Sequence, residues 1–279
     1  MERLGVIQAR IRSIGQLQEV VGAMRSLAAV RMQQAADMLA GTRRYGEAVA
    51  AALAQALLLG DGDTGPLRPG RRAVLLFAPE HGFVGGHTEA LVQAALAAAP
   101  ERLFVVGARG AQAAAEAGHP AEWWMPAASH AGGIAESARR VAAELYRRFA
   151  GGDFAGLQAV FARTLEFGRW QVTVETILPP DLARFRRPPS LVPPLVNLPA
   201  PLLLERVVEE WFLADLARAL TEALASENLA RLQAMTTAHD NIEKKLDALV
   251  AQERILRQEQ ITEELLDVVN GAELAAQAR

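Results

Sequence analysis

Cysteine is absent from this chain of 279 residues, which excludes disulfide bonds, thiolate nucleophiles and cysteine-ligated metal sites. Lysine is nearly absent, since the only two are Lys244 and Lys245, and the formal net charge is −3 at pH 7. The sequence therefore lacks the basic patch that would indicate nucleic acid as the main partner. Aromatic residues make up 5% of the chain against 51% hydrophobic residues, and 55 residues are alanine. This alanine excess favours helices and thin interfaces over a bulky core.

A long apolar run is also missing. The longest run without a charged residue extends from Pro188 to Leu204, and six of its residues are proline. A membrane-spanning helix needs roughly 20 apolar residues, so the sequence predicts no transmembrane segment. The first residues are charged and lack the apolar stretch of a signal peptide, so we expect a protein that is soluble by itself.

Proline is missing from both ends of the chain. All 14 prolines lie between Pro66 and Pro201, and because proline breaks helices this distribution divides the chain into three. We expect an N-terminal coiled-coil helix in residues 1–65, a central α/β domain in residues 66–201 and a C-terminal coiled-coil helix in residues 202–279.

The two end segments have the period of an α-helix. Apolar residues recur at steps of three or four in the first segment, which predicts one amphipathic helix from about Glu2 to Leu59. The last segment repeats the pattern and predicts a helix from about Leu204 to Gln277, although Glu253 interrupts one apolar position.

The middle segment alternates strands with helices, which predicts a compact Rossmann-like α/β domain. The predicted strands cover residues 72–78, 103–107, 157–164 and 170–178, and Trp123 and Trp124 lie at the end of a further strand. The predicted helices cover residues 89–98, 110–117 and 134–149, and a glycine-rich turn covers residues 82–86. The proline-rich residues 179–201 are predicted to form an extended connection back to the C-terminal helix.

The terminal helices are predicted to pair as a long antiparallel coiled coil, because one leads into the middle domain and the other leaves it. Residues 1–59 carry seven arginines against four acids, whereas residues 202–279 carry eight basic residues against fifteen acids. Opposite net charges favour this pairing, although each exposed ion pair contributes little.

The predicted C-terminal helix is the longer of the two and keeps an apolar tip, formed by Leu265, Leu266, Val268 and Val269. A lone helix with such a face is poorly suited to water, so we expect a partner to sheathe it. The alternative is a helix that bends back onto its own domain.

No motif in the sequence indicates catalysis within this chain. The glycine-rich turn lacks the lysine of a phosphate loop, and Gly107 and Gly110 do not complete a dinucleotide-binding motif. Glu80, His81 and His87 are close in sequence, but no HExxH is present and the other histidines follow no ligand spacing. We therefore expect no catalytic residue, metal or cofactor.

Several segments resemble one known family, the γ subunits of F-type rotary ATP synthases. Residues 9–35 resemble the N-terminal helix signature of that family, and residues 226–241 and 257–274 resemble its C-terminal signature. Residues 77–91 resemble its first strand and glycine turn, and residues 103–110 resemble its second strand. The resemblance covers nearly the whole chain.

The resemblance implies a rotor shaft, present as one copy per complex. In that family the coiled coil lies inside a ring of three α and three β subunits, and the α/β domain forms a foot on the membrane c-ring beside the ε subunit. Catalysis takes place on β, so the resemblance implies a non-catalytic subunit. It also implies a peripheral position on the cytoplasmic face of a bacterial cell membrane. The coupling ion, proton or sodium, stays open.

The resemblance also carries four residues over as contacts with the β subunit. Met24 and Arg25 fall in the stretch near the β levers, and Arg257 and Gln258 match a pair that hydrogen-bonds a β loop. The alternative for Arg257 is a solvated helix face. Glu253 departs from the family pattern just before that pair, which leaves the local β contacts open.

Other departures bear on regulation and on the branch of the family. Gly22 replaces a usual lysine, and Val84 stands where many members have cysteine, so thiol regulation of the turn is excluded. The arginine-rich, lysine-poor first segment, especially residues 43–50, resembles the alternate N-type bacterial branch. Two other hypotheses remain: a nucleotide-binding α/β enzyme with helical arms, which the missing phosphate loop disfavours, and a non-catalytic coiled-coil scaffold, which would form a homodimer.

Overall fold

One long helix opens the chain and another closes it, with an α/β sheet between them. The computed structural model describes residues 2–59, 70–185 and 195–277. The helices are α1 (Glu2–Leu59), α2 (His87–Ala97), α3 (Ala108–Glu116), α4 (Ile134–Ala150) and α5 (Ala200–Gln277). The strands are β1 (Arg72–Phe77), β2 (Arg102–Val106), β3 (Trp123–Met125), β4 (Gly156–Leu165) and β5 (Arg169–Leu178).

The bounds of the long helices agree closely with the sequence prediction. Helix α1 has the predicted ends, and α5 begins at Ala200, four residues before the predicted Leu204. Pro201 is tolerated there because the first turn of a helix needs no amide hydrogen from it. Of the predicted proline-rich connection, residues 186–194 lie outside the described residues, and Leu182–Phe185 form a 3₁₀ turn instead of extended chain.

The chain divides into two compact units whose boundary cuts through both long helices. Residues Ala28–Leu232 form one, here called the sheet unit. Met1–Leu27 and Gln233–Arg279 form the other, here called the helical unit. The domain boundaries after residues 65 and 201, which were predicted from the distribution of proline, stay a prediction.

The sheet has the strand order β3-β2-β1-β4-β5, in which the first four strands are parallel. Strand β5 runs antiparallel to β4, and the two are joined by a tight hairpin. The two tryptophans belong to the short edge strand β3, where Trp123 packs against the core and Trp124 is 51% exposed. The expected Rossmann-like arrangement of alternating strands and helices is thus confirmed.

Helices cover both faces of the sheet. On one face, Phe77, Phe104 and Phe161 pack against α4 and against Leu216 of α5. On the other face, β1, β2 and β4 pack against α2 and α3 in a second buried cluster. The sheet unit therefore has an apolar core on each side of its strands.

Within the sheet unit, α1 and α5 run side by side in opposite directions. Arg43 of α1 hydrogen-bonds Glu222 of α5, and Tyr45, further along α1, hydrogen-bonds Glu210, which is earlier in α5. Because partner numbers fall as the α1 numbers rise, the predicted antiparallel pairing of the terminal helices is confirmed in this unit.

Two glycines at the start of α3 let that helix approach the end of β1. Gly107 has φ +120°, and a Cβ atom there would lie 2.1 Å from the carbonyl oxygen of Ala78. A Cβ atom at Gly110 would lie 2.1 Å from the Cβ of the same alanine. Close packing therefore explains both glycines without a nucleotide.

Candidate functional site

The residues predicted to contact a β subunit all lie in the helical unit, as two separate neighbouring pairs. Met24 and Arg25 are half-buried on α1, whereas Arg257 and Gln258 are exposed on α5. Among the described side chains, no hydrogen bond or ion pair joins one pair to the other. The structure therefore presents two short surfaces on two helices, and each offers one arginine.

Arg257 is held by a neighbour that the sequence analysis had noted as a departure. Oε1 of Glu253 accepts hydrogen bonds from Nη2 of Arg257 and, at 3.0 Å, from Nε2 of Gln8. These bonds, with that from Gln8 the stronger influence, lower the pKa of Glu253 below its usual value. The charged residue that interrupts the apolar stripe thus links α5 to α1 and orients the Arg257 guanidinium.

The apolar tip of α5 is uncovered in this chain. Leu265, Leu266, Val268 and Val269 are 62%, 57%, 70% and 53% exposed. Ile261 is also exposed, and it shares one stripe with Leu265 and Val268 because helical residues four and seven apart lie on the same face. The structure describes the side chains of the tip as far as Asn270, with the exception of residue 267. This part of the helix does not bend back to bury the stripe.

The candidate ligands near the glycine turn have structural partners. Oε2 of Glu80 accepts hydrogen bonds from the backbone N–H groups of Ala108 at 3.0 Å and Ala127 at 2.8 Å. His87 is buried, lies 3.4 Å from Oγ of Ser226 and meets the ring of Trp170 edge-on. Burial and then the nearby Arg231 lower the pKa of His87 to about 4. These contacts fix loops and helices around the sheet.

One group of possible metal ligands was missed by the sequence analysis. His239, Asp240 and Glu243 lie on α5 within one helical turn, and their ligand atoms are within 4.8 Å of one another. The two carboxylates are exposed, and such groups commonly face water without an ion. The i, i+1, i+4 spacing is the signal that could have identified them.

The sheet unit also contains a cleft of about 780 Å³ between α1, β5 and α5. Its charged lining is mixed, with Arg43, Arg184, Arg218, Glu47, Glu175, Asp181 and Asp215. No glycine-rich run of backbone amides lines this cleft, in contrast to a phosphate-binding loop.

Among the described residues, no helix is long and apolar enough to cross a membrane.

A Rossmann-like sheet carrying two long terminal helices, one with an uncovered apolar tip, defines a protein suited to assembly with others. A family model described as ATP synthase matches residues 3–274. The ATP synthase gamma chain of Synechococcus elongatus is 28% identical over 318 residues, which cover 98% of this chain and 99% of that one. The chain therefore belongs to the family of ATP synthase gamma chains, and it is a subunit of an enzyme complex.

Solved structures share the fold at lower identity. A chain of the Euglena gracilis mitochondrial ATP synthase superposes with a TM-score of 0.69 at 14% identity, covering 99% of this chain and 95% of that chain. A chain from the central stalk and c-ring of the Tetrahymena thermophila mitochondrial ATP synthase gives 0.56 at 15% identity, covering 78% and 99%. These likenesses confirm the predicted fold class, an α/β sheet with long terminal helices.

Proposed function

We propose that this chain is the central-stalk rotor subunit of an F-type ATP synthase. It couples ion flow through a membrane c-ring to ATP synthesis or hydrolysis on the β subunits by rotating inside the ring of α and β subunits. Family membership supports the assembly, and the Tetrahymena neighbour belongs to a central stalk. The chain itself is non-catalytic in this proposal, because the polar groups at the glycine turn bind backbone and neighbouring helices.

The observation that carries the proposal is the uncovered apolar surface of the helical unit. Four large apolar side chains of the α5 tip are each more than half exposed, and no other described element covers this tip. An exposed apolar surface of this kind is typical of a site that a partner covers. A sleeve formed by the α and β subunits is the enclosure that a rotor shaft requires.

The proposal also assigns positions to the other subunits of the complex. The sheet unit forms the foot on the c-ring beside an ε subunit, and one copy of the chain serves three α and three β subunits. The complex then lies on the cytoplasmic face of a bacterial cell membrane, to which this chain is peripheral. Relatives from cyanobacteria agree with a bacterial source.

Arg257 and Gln258 are proposed to bind a β loop at some rotor angles and release it at others. The Arg257 guanidinium is 57% exposed and keeps donors free beyond the one that Glu253 accepts. A guanidinium with several donors in one plane suits a polar contact that forms at one angle and breaks at the next. Met24 and Arg25 are proposed to face the β levers.

Co-expression with matching α and β subunits tests the proposal directly. We expect a complex with one copy of this chain per three α and three β subunits, and MgATP hydrolysis that depends on the chain. Failure to associate with either subunit would exclude the rotor. A defined homodimer in that case would favour the non-catalytic coiled-coil scaffold.

The two β-contact residues have their own test in the same complex. The double variant Arg257→Ala with Gln258→Ala is expected to lower coupled turnover while the helix content of the free chain stays unchanged. Gln252→Ala, an exposed glutamine earlier on α5, is the matched control. Unchanged ATP hydrolysis in the double variant would count against the β contact.

A further inference from the structure

Helix α5 crosses the sheet unit with buried charged side chains on two opposite faces. Glu222 is 3% exposed and Arg231 is 8% exposed. They are nine residues apart, which is 2.5 turns at ~3.6 residues per turn, so they point about half a turn apart around the helix axis. Each of the two side chains binds a different part of the sheet unit.

Glu222 binds strand β4 and helix α1 from one face of α5. Its Oε2 accepts a hydrogen bond from Nε of Arg163 at 3.0 Å, and its Oε1 accepts one from Nη2 of Arg43 at 3.4 Å. Arg163 also donates from Nη2 to Glu175 of β5 at 2.8 Å. Arg218, one turn earlier on α5, binds the same Glu175 and lies 3.6 Å from Glu222.

These groups form a network of charges, here called the Glu222 cluster: Arg43, Arg163, Glu175, Asp215, Arg218 and Glu222. Burial raises the pKa of Asp215 although Arg218 opposes the shift. Burial also disfavours the Arg218 charge, yet Asp215 and Glu175 raise its pKa above the usual value. Three cations and three anions are thus mutually compensated, as expected for a structural contact.

Arg231 binds the loop that follows the central strand, β1. Its Nη2 donates to Oε1 of Glu227 at 2.7 Å and to the carbonyl oxygen of His81 at 3.1 Å, and its Nε donates to the carbonyl oxygen of Gly82 at 3.4 Å. The glycine turn that Arg231 holds is itself fixed by Glu80, whose carboxylate binds the start of α3 and the loop after β3.

We propose that the Glu222 cluster and Arg231 together prevent α5 from rolling about its own axis on the sheet, and so carry torque between this helix and the foot. Apolar packing alone is non-directional, whereas hydrogen bonds weaken steeply when their angles change. Because the two sets of bonds lie on opposite faces, rolling in either direction distorts both. This inference rests on the proposed rotor function.

The angular stiffness of the foot in an assembled complex tests the inference. Ala115 is exposed on α3, and Ala115→Cys gives a unique attachment point because the chain has no cysteine. A bead attached there, on a complex with cysteine-free α and β subunits stalled by a non-hydrolysable nucleotide, reports the angular variance of the foot. The variants are Glu222→Gln, Arg163→Gln and the two combined.

We expect each variant to raise the angular variance about twofold, because it weakens one of the two opposed sets of bonds. The combined variant restores the charge balance of the cluster but not its bonds, so it should stay as compliant as the single variants. Arg206→Ala, which removes an exposed ion pair within α5, is the matched control and should leave the variance unchanged.

Two outcomes would overturn the inference. One is an unchanged angular variance in assembled complexes that carry Arg163→Gln. The Arg163 side chain is 34% exposed, so the strand should tolerate its loss, and this test holds even if Glu222→Gln fails to assemble. The other is recovery of normal variance in the combined variant, which would assign the cluster to charge balance alone. If the unmodified chain fails to assemble at all, the rotor function fails, and the torsional role fails with it.

Discussion

The sheet unit and the helical unit bury their apolar side chains to very different extents. Among the described side chains of the helical unit, four large apolar residues are buried, Ile7, Val21, Met235 and Leu249, whereas ten are exposed. In the sheet unit, five of the six residues of β1 are buried, and both faces of the sheet are covered. The sheet unit is therefore stabilised by its own core, and the helical unit is arranged to be stabilised by partners.

Charged contacts follow the same division. In the sheet unit, Glu222 joins residues 179 and 59 positions away and is almost fully buried. In the helical unit, Arg257 is 57% exposed and its ion pair is with a residue one turn away on the same helix. Exposed pairs of this kind contribute little to stability, so charge does not replace the missing core there.

The largest expected effect on the isolated chain comes from the core of the sheet unit. Phe104 is fully buried and packs against Phe154 with ring centroids 5.7 Å apart. Phe104→Ala should lower the free energy of unfolding by about 3–5 kcal/mol because it leaves a cavity. Urea unfolding measures this loss. Phe167→Ala, at a side chain 91% exposed, is the control and should stay within about 0.5 kcal/mol. Equal losses would remove the distinction between core and surface.

The next effect is a pH dependence of the sheet unit that originates at His87. Its pKa is lowered from 6.5 to about 4, so the unfolded chain binds the proton more tightly. Stability from this group is therefore present above pH 6.5 and is lost as the pH falls towards 4, by about 3 kcal/mol. The midpoint of unfolding should fall as the pH is lowered from 6.5 to 4, and His87→Gln should make this dependence of the midpoint on pH less steep. His119→Gln, at an exposed histidine, should leave the slope unchanged.

A smaller effect on the isolated chain is expected at the α5 tip. Leu265→Asp should change the free energy of unfolding by less than about 0.5 kcal/mol, because the side chain already faces water. The same variant should reduce the yield of complex with α and β subunits, since a sheath would then bury an unpaired charge. Gln252→Asp adds a charge at an exposed position nearby and serves as control. A full yield with Leu265→Asp would mean that no partner covers this face.

The smallest effect concerns Glu253. Glu253→Gln removes the acceptor charge shared by Gln8, which is half-buried, and Arg257, which is exposed. Amide hydrogen exchange near residue 253 should accelerate by less than about threefold, because such pairs are weak. A much larger acceleration would show that this contact, and not a partner, orders the helical unit.

Local features of the fold were readable from the sequence because they depend on neighbouring residues. The apolar period gave the end of α1 at Leu59, and the buried runs gave β1, β2, β4 and β5 to within two residues. Helix α2 begins at His87, two residues before the predicted Glu89. The prediction missed these two residues because His87 and Thr88 are polar side chains that are nevertheless buried. Burial of a polar side chain depends on tertiary contacts, which local pattern does not contain.

The candidate site could be predicted from the sequence only in part, because it also depends on tertiary contacts. The apolar residues of the α5 tip were predicted to need a cover, and they are exposed in the chain. The contact from Gln8 to Glu253 was not predicted, since it joins residues 245 positions apart. The Glu222 cluster likewise draws on two long helices and a hairpin. By contrast, Glu227 and Arg231 have i, i+4 spacing, a signal that the sequence already contained.

The glycines at the start of α3 restrict how this family member can evolve. Any larger residue at Gly107 or Gly110 meets Ala78 at 2.1 Å, so three positions on two separate segments form one steric unit. A mutation at one of them is tolerated only with a backbone shift that the core of the sheet unit resists. Substitution rates at these positions should therefore be low for reasons of packing alone. A glycine spacing of this kind can persist in a lineage without any nucleotide to select for it.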